Sequence, residues 1–583
     1  MLPNRTVFLK LMRSTGPVSI ESEEPAPVTE EAAPSWASWP QQGAPVSERD
    51  WGASRKRASL ARSAGIVAGA FVVSRILGLV REVVLARQFG TSEELSAYIS
   101  AFRIPDLLFL VIMAGAFGSA FIPIFSGLLG DGEDEAAWRL ASVVLNLAGA
   151  SVIALSILTW LAAPGLVQLV VAPDASPPTQ VLTADLMRLL LLSPVFLGFG
   201  IAAKGILEGQ DLFTLPALAP IVYNAATILG AIVLGPSIGV RGVAVGVVVG
   251  AIGFLALQIP GVMRSGMRYS RALDPRAKGV SEVGRLLAPR LIGQAAFQIN
   301  FIAVTNLAWR TGEQNVAALN YAWQLVMLPH GVLALSISTV ILPTLSRLWQ
   351  GGEIDAFRAT LQGAVRPLLF LSLPAAIVLF AFRVPVVQTL FQTGAFSAES
   401  TELVAAPLAF LAAGLVSYAV VEALTRAFYA MHDTRTPVMA GILIIALNIG
   451  LGIALLGRLS YLSLALALSA STTVEAVILT AVLHRRLGGD PSGFGHWLWR
   501  VLVSGLVAAA VALTLAGPLA EATTPGMLPK LIQLAVFLTA LAVVGLVFAG
   551  CAWILRIPEL SDTLAILMRR LPGGLGSKWP PAK

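Results

Sequence analysis

Charge is scarce in this 583-residue chain. Only 13% of residues are Asp, Glu, Lys or Arg, against roughly a quarter in soluble proteins. Cysteine is almost missing: Cys551 stands alone, which excludes an intrachain disulfide, and it lies in an apolar run as ordinary filler. The chain has no HExxH, no cysteine cluster and no nucleophile elbow, so nothing marks an enzyme, a metal centre or a cofactor site. "GGLGSKW" near the end is not a Walker A loop, because its lysine follows the serine. Without a nucleotide-binding loop, transport must draw on an ion gradient, the membrane potential, the substrate's own gradient or a partner. "VFLKLM" near the start is too short for the apolar core of a signal peptide, so no cleavable signal is expected.

Apolar residues are plentiful instead, at 56% of the chain with a mean hydropathy of +0.79. Repeated apolar runs of about 20 residues predict an all-α polytopic membrane protein. Fourteen spans are expected near 63–89, 94–128, 138–162, 182–206, 213–235, 240–263, 285–309, 314–345, 358–382, 401–428, 437–456, 461–483, 498–520 and 530–555. Residues 1–60, rich in Pro, Ser, Glu and Ala, read as a disordered tail. The net charge of +7 does not point to nucleic acid, since the basic residues flank apolar spans. "RKRASLAR", "RSGMRYSRALDPRAKG", "MHDTRTP" and "HRRLGG" fall on one side, whereas "APDASPPTQ" and "EATTPGM" on the other hold no Lys or Arg. The positive-inside rule then places both termini in the cytoplasm.

The chain also repeats itself. "AFIPIFSGL" (120–128) resembles "VILPTLSRL" (340–348), "LVQ" (166–168) resembles "VVQ" (386–388), and "DLFTLPALA" (211–219) resembles "HDTRTPVMA" (432–440). The offsets are 220, 220 and 221 residues. Six spans per unit give two units of the same orientation, the arrangement of parallel-repeat transporters with a substrate path between the halves. The expected organisation is a tail (1–60), a first six-helix lobe (61–284), a second (285–485), two additional helices (496–556) and a cytoplasmic tail (557–583).

The first span, "VVSRILGLVREVVLARQFG" (72–90), carries Arg75, Arg81, Glu82 and Arg87. An unpaired charge at mid-bilayer costs about 3 kcal/mol on insertion scales, so such groups face a bundle interior or a water-filled cavity. Arg87, near the end, reads as an interface anchor. Arg75 and Glu82 share a face about 10 Å apart, while Arg81 points about 100° from Glu82, so the charges do not simply cancel within the helix. Two readings stay open: a cationic cavity for an anionic substrate, since guanidinium suits phosphate, or pairing of Arg81 and Glu82 with neighbouring helices. Gly65, Gly69 and Gly78 offer close helix approach or a bend. In "FRIPDLLF", Arg103 either joins the cavity or pairs with Asp106 around a proline that favours a break. Asp185–Arg188 and Glu422–Arg426 read as structural pairs. Glu475 lies near mid-span with no local partner and is a candidate for coupling to a cation, or for a hydrogen bond to a neighbouring helix.

Ser74-Arg75-x-Leu77-Gly78-x-x-Arg81-Glu82, with Ala86 and Gly90, resembles the first-helix motif of the MurJ (MviN) lipid II flippases. "GAFGSAFIPIF", "FTLPALAPIVYN", "VILPTLS", "LFQTGAF" and "FYAMHDTRTPV" are similar to that family's further motifs, in its order, between about 64 and 555. The resemblance implies the multidrug/oligosaccharidyl-lipid/polysaccharide exporter fold: two six-helix lobes around a central cavity, and two extra helices forming a lipid-facing groove. It implies export of the lipid-linked peptidoglycan precursor across the bacterial inner membrane by alternating access, with Arg75 and Arg81 on the pyrophosphate and Glu82 positioning them. Membrane lipids and cell-wall synthesis proteins are the other implied partners. The chain departs from the family pattern where arginine or acidic residues are common: it has Phe109, Ala114, Trp323 and Gln324, with Arg103 and Arg290 as possible replacements. Export of another polyprenyl-linked glycan or a small molecule on the same fold, or a scaffold role, therefore stands as the alternative.

Overall fold

The computed structural model describes residues 48–114, 117, 121–488, 494–526 and 528–561, with the side chains of 48–64, 288–290, 292 and 335–340 outside that description. Residues 1–47 and 562–583, which hold most of the two expected tails, and the Arg290 side chain thus lie outside the described residues.

The described chain is helical, and its one β-type feature is an isolated bridge between Pro525 and Leu528. Helices are what an apolar chain must form in lipid, because each satisfies its backbone N–H and C=O groups internally. The first half runs through α1 (Glu48–Phe89), α2 (Glu93–Ala101), α3 (Arg103–Leu108), α4 (Phe121–Gly130), α5 (Asp134–Leu166), α6 (Pro177–Leu190), α7 (Leu192–Glu208), α8 (Thr214–Leu229), α9 (Gly235–Ile238) and α10 (Val240–Arg264). The second runs through α11 (Val280–Trp309), α12 (Asn315–Gln350), α13 (Ile354–Ala381), α14 (Arg383–Leu390), α15 (Ala398–Ala430), α16 (Arg435–Leu459) and α17 (Leu462–Leu487). Two further helices follow, α18 (Phe494–Ala522) and α19 (Lys530–Ile554), packed on each other and on α13 and α14.

Among the described residues, eleven segments are long and apolar enough to cross a membrane. The other long helices are α1, α11 and α12, and α1 and α12 carry Arg75, Arg81, Glu82 and Gln324 of the site below. The elements are compatible with the fourteen expected spans. Two boundaries differ. Helix α1 already starts at Glu48, within the expected tail; the last proline ahead of it is Pro45, and none follows until Pro105. The expected 94–128 span is broken into α2, α3, a π-helical turn at Phe109–Ala114 and α4. Pro105 is the third residue of α3, where its missing N–H costs no helix hydrogen bond.

The repeat seen in the sequence recurs in the backbone. Gly132 (φ 78°) and Gly352 (φ 71°) each stand two residues ahead of a helix, α5 and α13. Asp211 (φ 60°) and His432 (φ 59°) each stand three residues ahead of α8 and α16. Gly239 (φ 63°) and Ser460 (φ 51°) lead into α10 and α17. Positive φ is uncommon outside glycine, so the Asp211/His432 pair above all, with the other two pairs at the same offset, marks two copies of one chain path. Pro216 and Pro437 are each the third residue of their helix. Next to His432, Asp433 caps α16 by accepting the Thr436 N–H at 3.0 Å, and its other oxygen faces Arg486 at 2.5 Å. Partial burial opposes the charge, but bonds from Thr436 and Arg486 outweigh it and hold this carboxyl below the usual carboxylate range.

Small residues bring α8 and α10 together: a Cβ on Gly246 would lie 2.8 Å from the Ala226 carbonyl oxygen. The glycines of α1 do not act this way. A Cβ on Gly65, Gly69 or Gly78 would meet nothing within 4 Å. That corrects the close approach expected of them; Gly78 instead leaves room in a cavity.

Candidate functional site: a cavity walled by an ion pair

A cavity of about 530 Å³ lies between α1, α7, α8 and α12. Arg75, Arg81 and Glu82 line it from α1, joined by Lys204, Asn224 and Gln324. The expected cavity residues of the first helix therefore do meet one space. Arg75 is exposed, with its guanidinium 5.2 Å from the centre of the Phe71 ring, one turn back. Among the described residues it has no ion pair. Across the cavity a Cβ on Gly331 of α12 would lie 3.6 Å from its Nη1.

Arg81 behaves differently. Its Nη2 donates to Glu82 Oε1 at 2.8 Å and its Nε to the same oxygen at 3.3 Å. The expectation that these two charges would not cancel within the helix is corrected here. The 100° between adjacent Cα–Cβ directions is real, but both side chains are long enough to fold back on each other. The pair is also tied across the bundle, as the other reading held. Arg81 Nη1 donates to Asn224 Oδ1 of α8 at 3.3 Å, and Gln324 Nε2 of α12 donates to Glu82 Oε1 at 3.4 Å. Glu82 is buried at 7% exposure, so this carboxylate needs the donors it has.

Behind that cluster lies a second chamber of about 240 Å³, lined by Tyr98, Arg103, Asp106, Tyr223 and Asn320. Arg81, Glu82 and Gln324 line both spaces and so form the wall between them. Arg103 opens on this chamber; its Nε donates to Thr305 Oγ1 of α11 at 2.8 Å, and its guanidinium stands 5.2 Å from the Phe301 ring centre. Among the described residues no ion pair joins it to Asp106.

The departures from the charged pattern have concrete places. Phe109 opens the π-helical turn and packs on the core around Phe117 and Phe121. Trp323 stands edge-on to Phe301 and Tyr418, at 5.7 and 5.6 Å. Gln324 gives a neutral donor to Glu82. Glu475 on α17 is half-buried near Gly441 of α16 and lines neither chamber. Lys204 was not singled out from the sequence. It pairs with Glu208 at 3.7 Å on the cavity wall; a lysine inside "GIAAKGILEG" was the available signal.

One end of the bundle is closed where the two halves meet. Ala395 N donates to the Arg87 carbonyl at 2.8 Å, and the Thr91 and Ser400 hydroxyls lie 2.9 Å apart. Trp309 Nε1 donates to Ser100 Oγ at 3.0 Å, and Ala317 N to Ser96 Oγ at 3.2 Å. Gly90 (φ 57°) is required there, since a Cβ would sit 2.5 Å from the Ala395 oxygen. Val67 and Phe71, which line the large cavity, lie about 30 Å back along α1 from this seal.

A sequence model of the family described as "Lipid II flippase MurJ" matches residues 85–551. The lipid II flippase MurJ of Burkholderia cenocepacia is 31% identical over 474 residues, covering 78% of this chain and 89% of that one. A probable lipid II flippase MurJ of Rhizobium meliloti is 30% identical, covering 75% and 82%. Among solved structures, one titled "Lipid II flippase MurJ, inward closed conformation" superposes with a TM-score of 0.69 at 24% identity, covering 83% of this chain and 98% of that one. An inward-facing multidrug resistance MATE family transporter of the MOP superfamily superposes with a TM-score of 0.62 at 16% identity, covering 71% and 94%. With a family match over most of its length and a Burkholderia relative spanned nearly end to end, this chain belongs to the lipid II flippase MurJ family.

Proposed function

We propose that this protein moves lipid II, the lipid-linked peptidoglycan precursor, across the bacterial inner membrane by alternating access. The observation that carries the reading beyond family membership is Arg75: a guanidinium with no ion pair among the described residues, facing a cavity whose inner wall is a second, bridged arginine. A pyrophosphate entering the cavity meets Arg75 first. It then competes with Glu82 for Arg81, so binding loosens the wall between the two chambers. The basic loops support a cytoplasmic placement of both termini, which makes the sealed end periplasmic and the large cavity cytoplasm-facing. The apolar faces of α18 and α19, with Leu506, Leu531 and Leu546 exposed, suit the polyprenyl tail. The drive is an ion gradient or the membrane potential, and Glu475 remains the coupling candidate.

Depletion of the resident flippase in a bacterium, with rescue by this chain, tests the reading. Rescue is expected with the wild type. Arg75→Ala is expected to lower lipid II exposed at the outer face at least tenfold, the scale of one lost charge-assisted contact of about 1.5–3 kcal/mol. A wild-type chain that inserts but never rescues, or full rescue by both Arg75→Ala and Arg81→Ala, refutes it. The neutral Phe109, Trp323 and Gln324 favour a second reading, export of another polyprenyl-linked glycan. Comparing exposure of lipid II with that of other lipid-linked glycans in the same strain separates the two.

A further inference from the structure

The large cavity holds a second charged pair that pyrophosphate binding leaves unused. Lys204 and Glu208 line it from α7, with their side chains 38% and 25% exposed. Their charges stand 3.7 Å apart, beyond a hydrogen bond, and among the described residues neither side chain has another partner. Helix stability does not call for this pair. A lysine four residues ahead of a glutamate is the weaker order. Glu208 is also the last residue of α7, where the negative end of the helix dipole opposes a carboxylate. Glu422 and Arg426 show the contrast, with the favourable order and a 2.6 Å contact. Depth follows from the helices. Asn224, which holds Arg81, is ten residues into α8 from Thr214, about 15 Å from its start. Helix α7 ends and α8 starts at one tight turn, where Leu212 N donates to the Leu207 carbonyl at 2.9 Å. Lys204 is four residues, about 6 Å, inward from the end of α7. It therefore stands about 9 Å short of Asn224, the depth at which Arg75 stands short of Arg81 on α1. Arg75 and Lys204 thus face one space, at one level, from different helices.

We propose that Lys204 and Glu208 read the peptide of the substrate, Lys204 taking a free carboxylate and Glu208 a free ammonium. This rests on the lipid II reading above. The peptide of a peptidoglycan precursor offers both groups, since it ends in a carboxylate and carries a diamino acid. A phosphate is the poorer occupant of this wall, because Glu208 stands beside the ammonium that would hold it and repels a polyanion. Arg75 has no ion pair among the described residues and carries no such penalty. The two walls therefore sort the substrate, with pyrophosphate on α1 and peptide on α7.

The full chain, purified in a non-ionic detergent, is offered three lipids: lipid II, lipid II with its peptide carboxylates amidated, and lipid II with its side-chain amine acetylated. Dissociation constants are read by microscale thermophoresis. The wild type is expected to bind lipid II about fivefold more tightly than either modified lipid, the scale of a charge-assisted hydrogen bond at a half-exposed site. Lys204→Gln is expected to erase the preference for free carboxylates, and Lys204→Arg to keep it. Glu208→Gln is expected to erase the preference for the free amine. Arg75→Ala, which acts on the pyrophosphate, is expected to weaken all three lipids alike. Equal binding of the three lipids by the wild type overturns the proposal and leaves the lipid II reading standing. An equal loss of affinity for lipid II and its amidated form in Lys204→Gln also overturns it, by showing a phosphate contact. No binding of any of the three overturns both readings.

Discussion

Arg75 and Arg81 are about two turns apart on one helix but in different states, one without an ion pair among the described residues and one held by Glu82 and Asn224. This gives them different costs on removal. Arg81→Ala leaves Glu82 buried without its strongest partner, and losing one member of a buried pair costs about 3 kcal/mol or more. Adding Glu82→Gln removes the orphaned charge. The double variant is therefore expected to unfold at a temperature closer to the wild type than Arg81→Ala does, in detergent, by light scattering or intrinsic fluorescence. Equal melting of the single and double variants would show that the pair carries no such coupling. Transport should be lost in both. At this scale the sequence was informative about which side chains of the first helix line the cavity, because a charge in an apolar span is conspicuous. It was silent on pairing: helical angles place Cβ atoms, and the reach of arginine and glutamate decides contacts. Lys204 escaped notice because Glu208, four residues on, makes it look like an ordinary surface pair.

At the level of elements, the seal joins the α1–α2 turn to the α11–α12 and α14–α15 loops. It contains a repulsive contact. Glu93 opens α2 and accepts from Ser176 Oγ at 2.9 Å and also from Thr179. Glu313, in the loop across from it, is held above its usual range, chiefly by the charge of Glu93. A carboxyl raised in the sealed state contributes to that state when protonated. The contribution is complete at low pH and is lost as pH rises through the raised value. The seal is thus expected to loosen as pH rises, and Glu313→Gln should abolish that dependence. Thr91→Cys with Ser400→Cys, in a Cys551→Ser background, reports it through the rate of disulfide formation. A rate profile that follows thiol ionisation alone, identical with and without Glu313→Gln, would contradict the expectation. None of this was visible in the sequence, since Glu93 and Glu313 are over two hundred residues apart and meet only through the fold.

For the molecule as a whole, the two halves repeat one chain path at an offset of about 220 residues, and three weak sequence matches carry that offset by themselves. They succeeded because prolines at helix starts and breaks serve the backbone and persist when side chains diverge; the paired left-handed residues, such as Asp211 and His432, carry the same information less visibly. The repetition ends at the site. Arg81 and Glu82 come from the first half and their partner Gln324 from the second, in a place where the repeat offers no equivalent charge. Function therefore rests on how the halves move against each other. If the halves rock about the bridged wall, a covalent bond across the seal should hold the cavity open to the cytoplasm only. Oxidising the Thr91→Cys/Ser400→Cys variant is expected to stop lipid II appearing at the outer face, and reduction is expected to restore it. Each single-cysteine variant should be indifferent to oxidant. Because Arg75 and Arg81 lie on the cavity side of the seal, the oxidised form should still protect a Val67→Cys reporter on the same cavity wall from a cytoplasmic thiol reagent when substrate is present. Continued transport with the bond fully formed would mean that the sealed end does not open in the cycle, and that substrate leaves along the flank of the bundle instead.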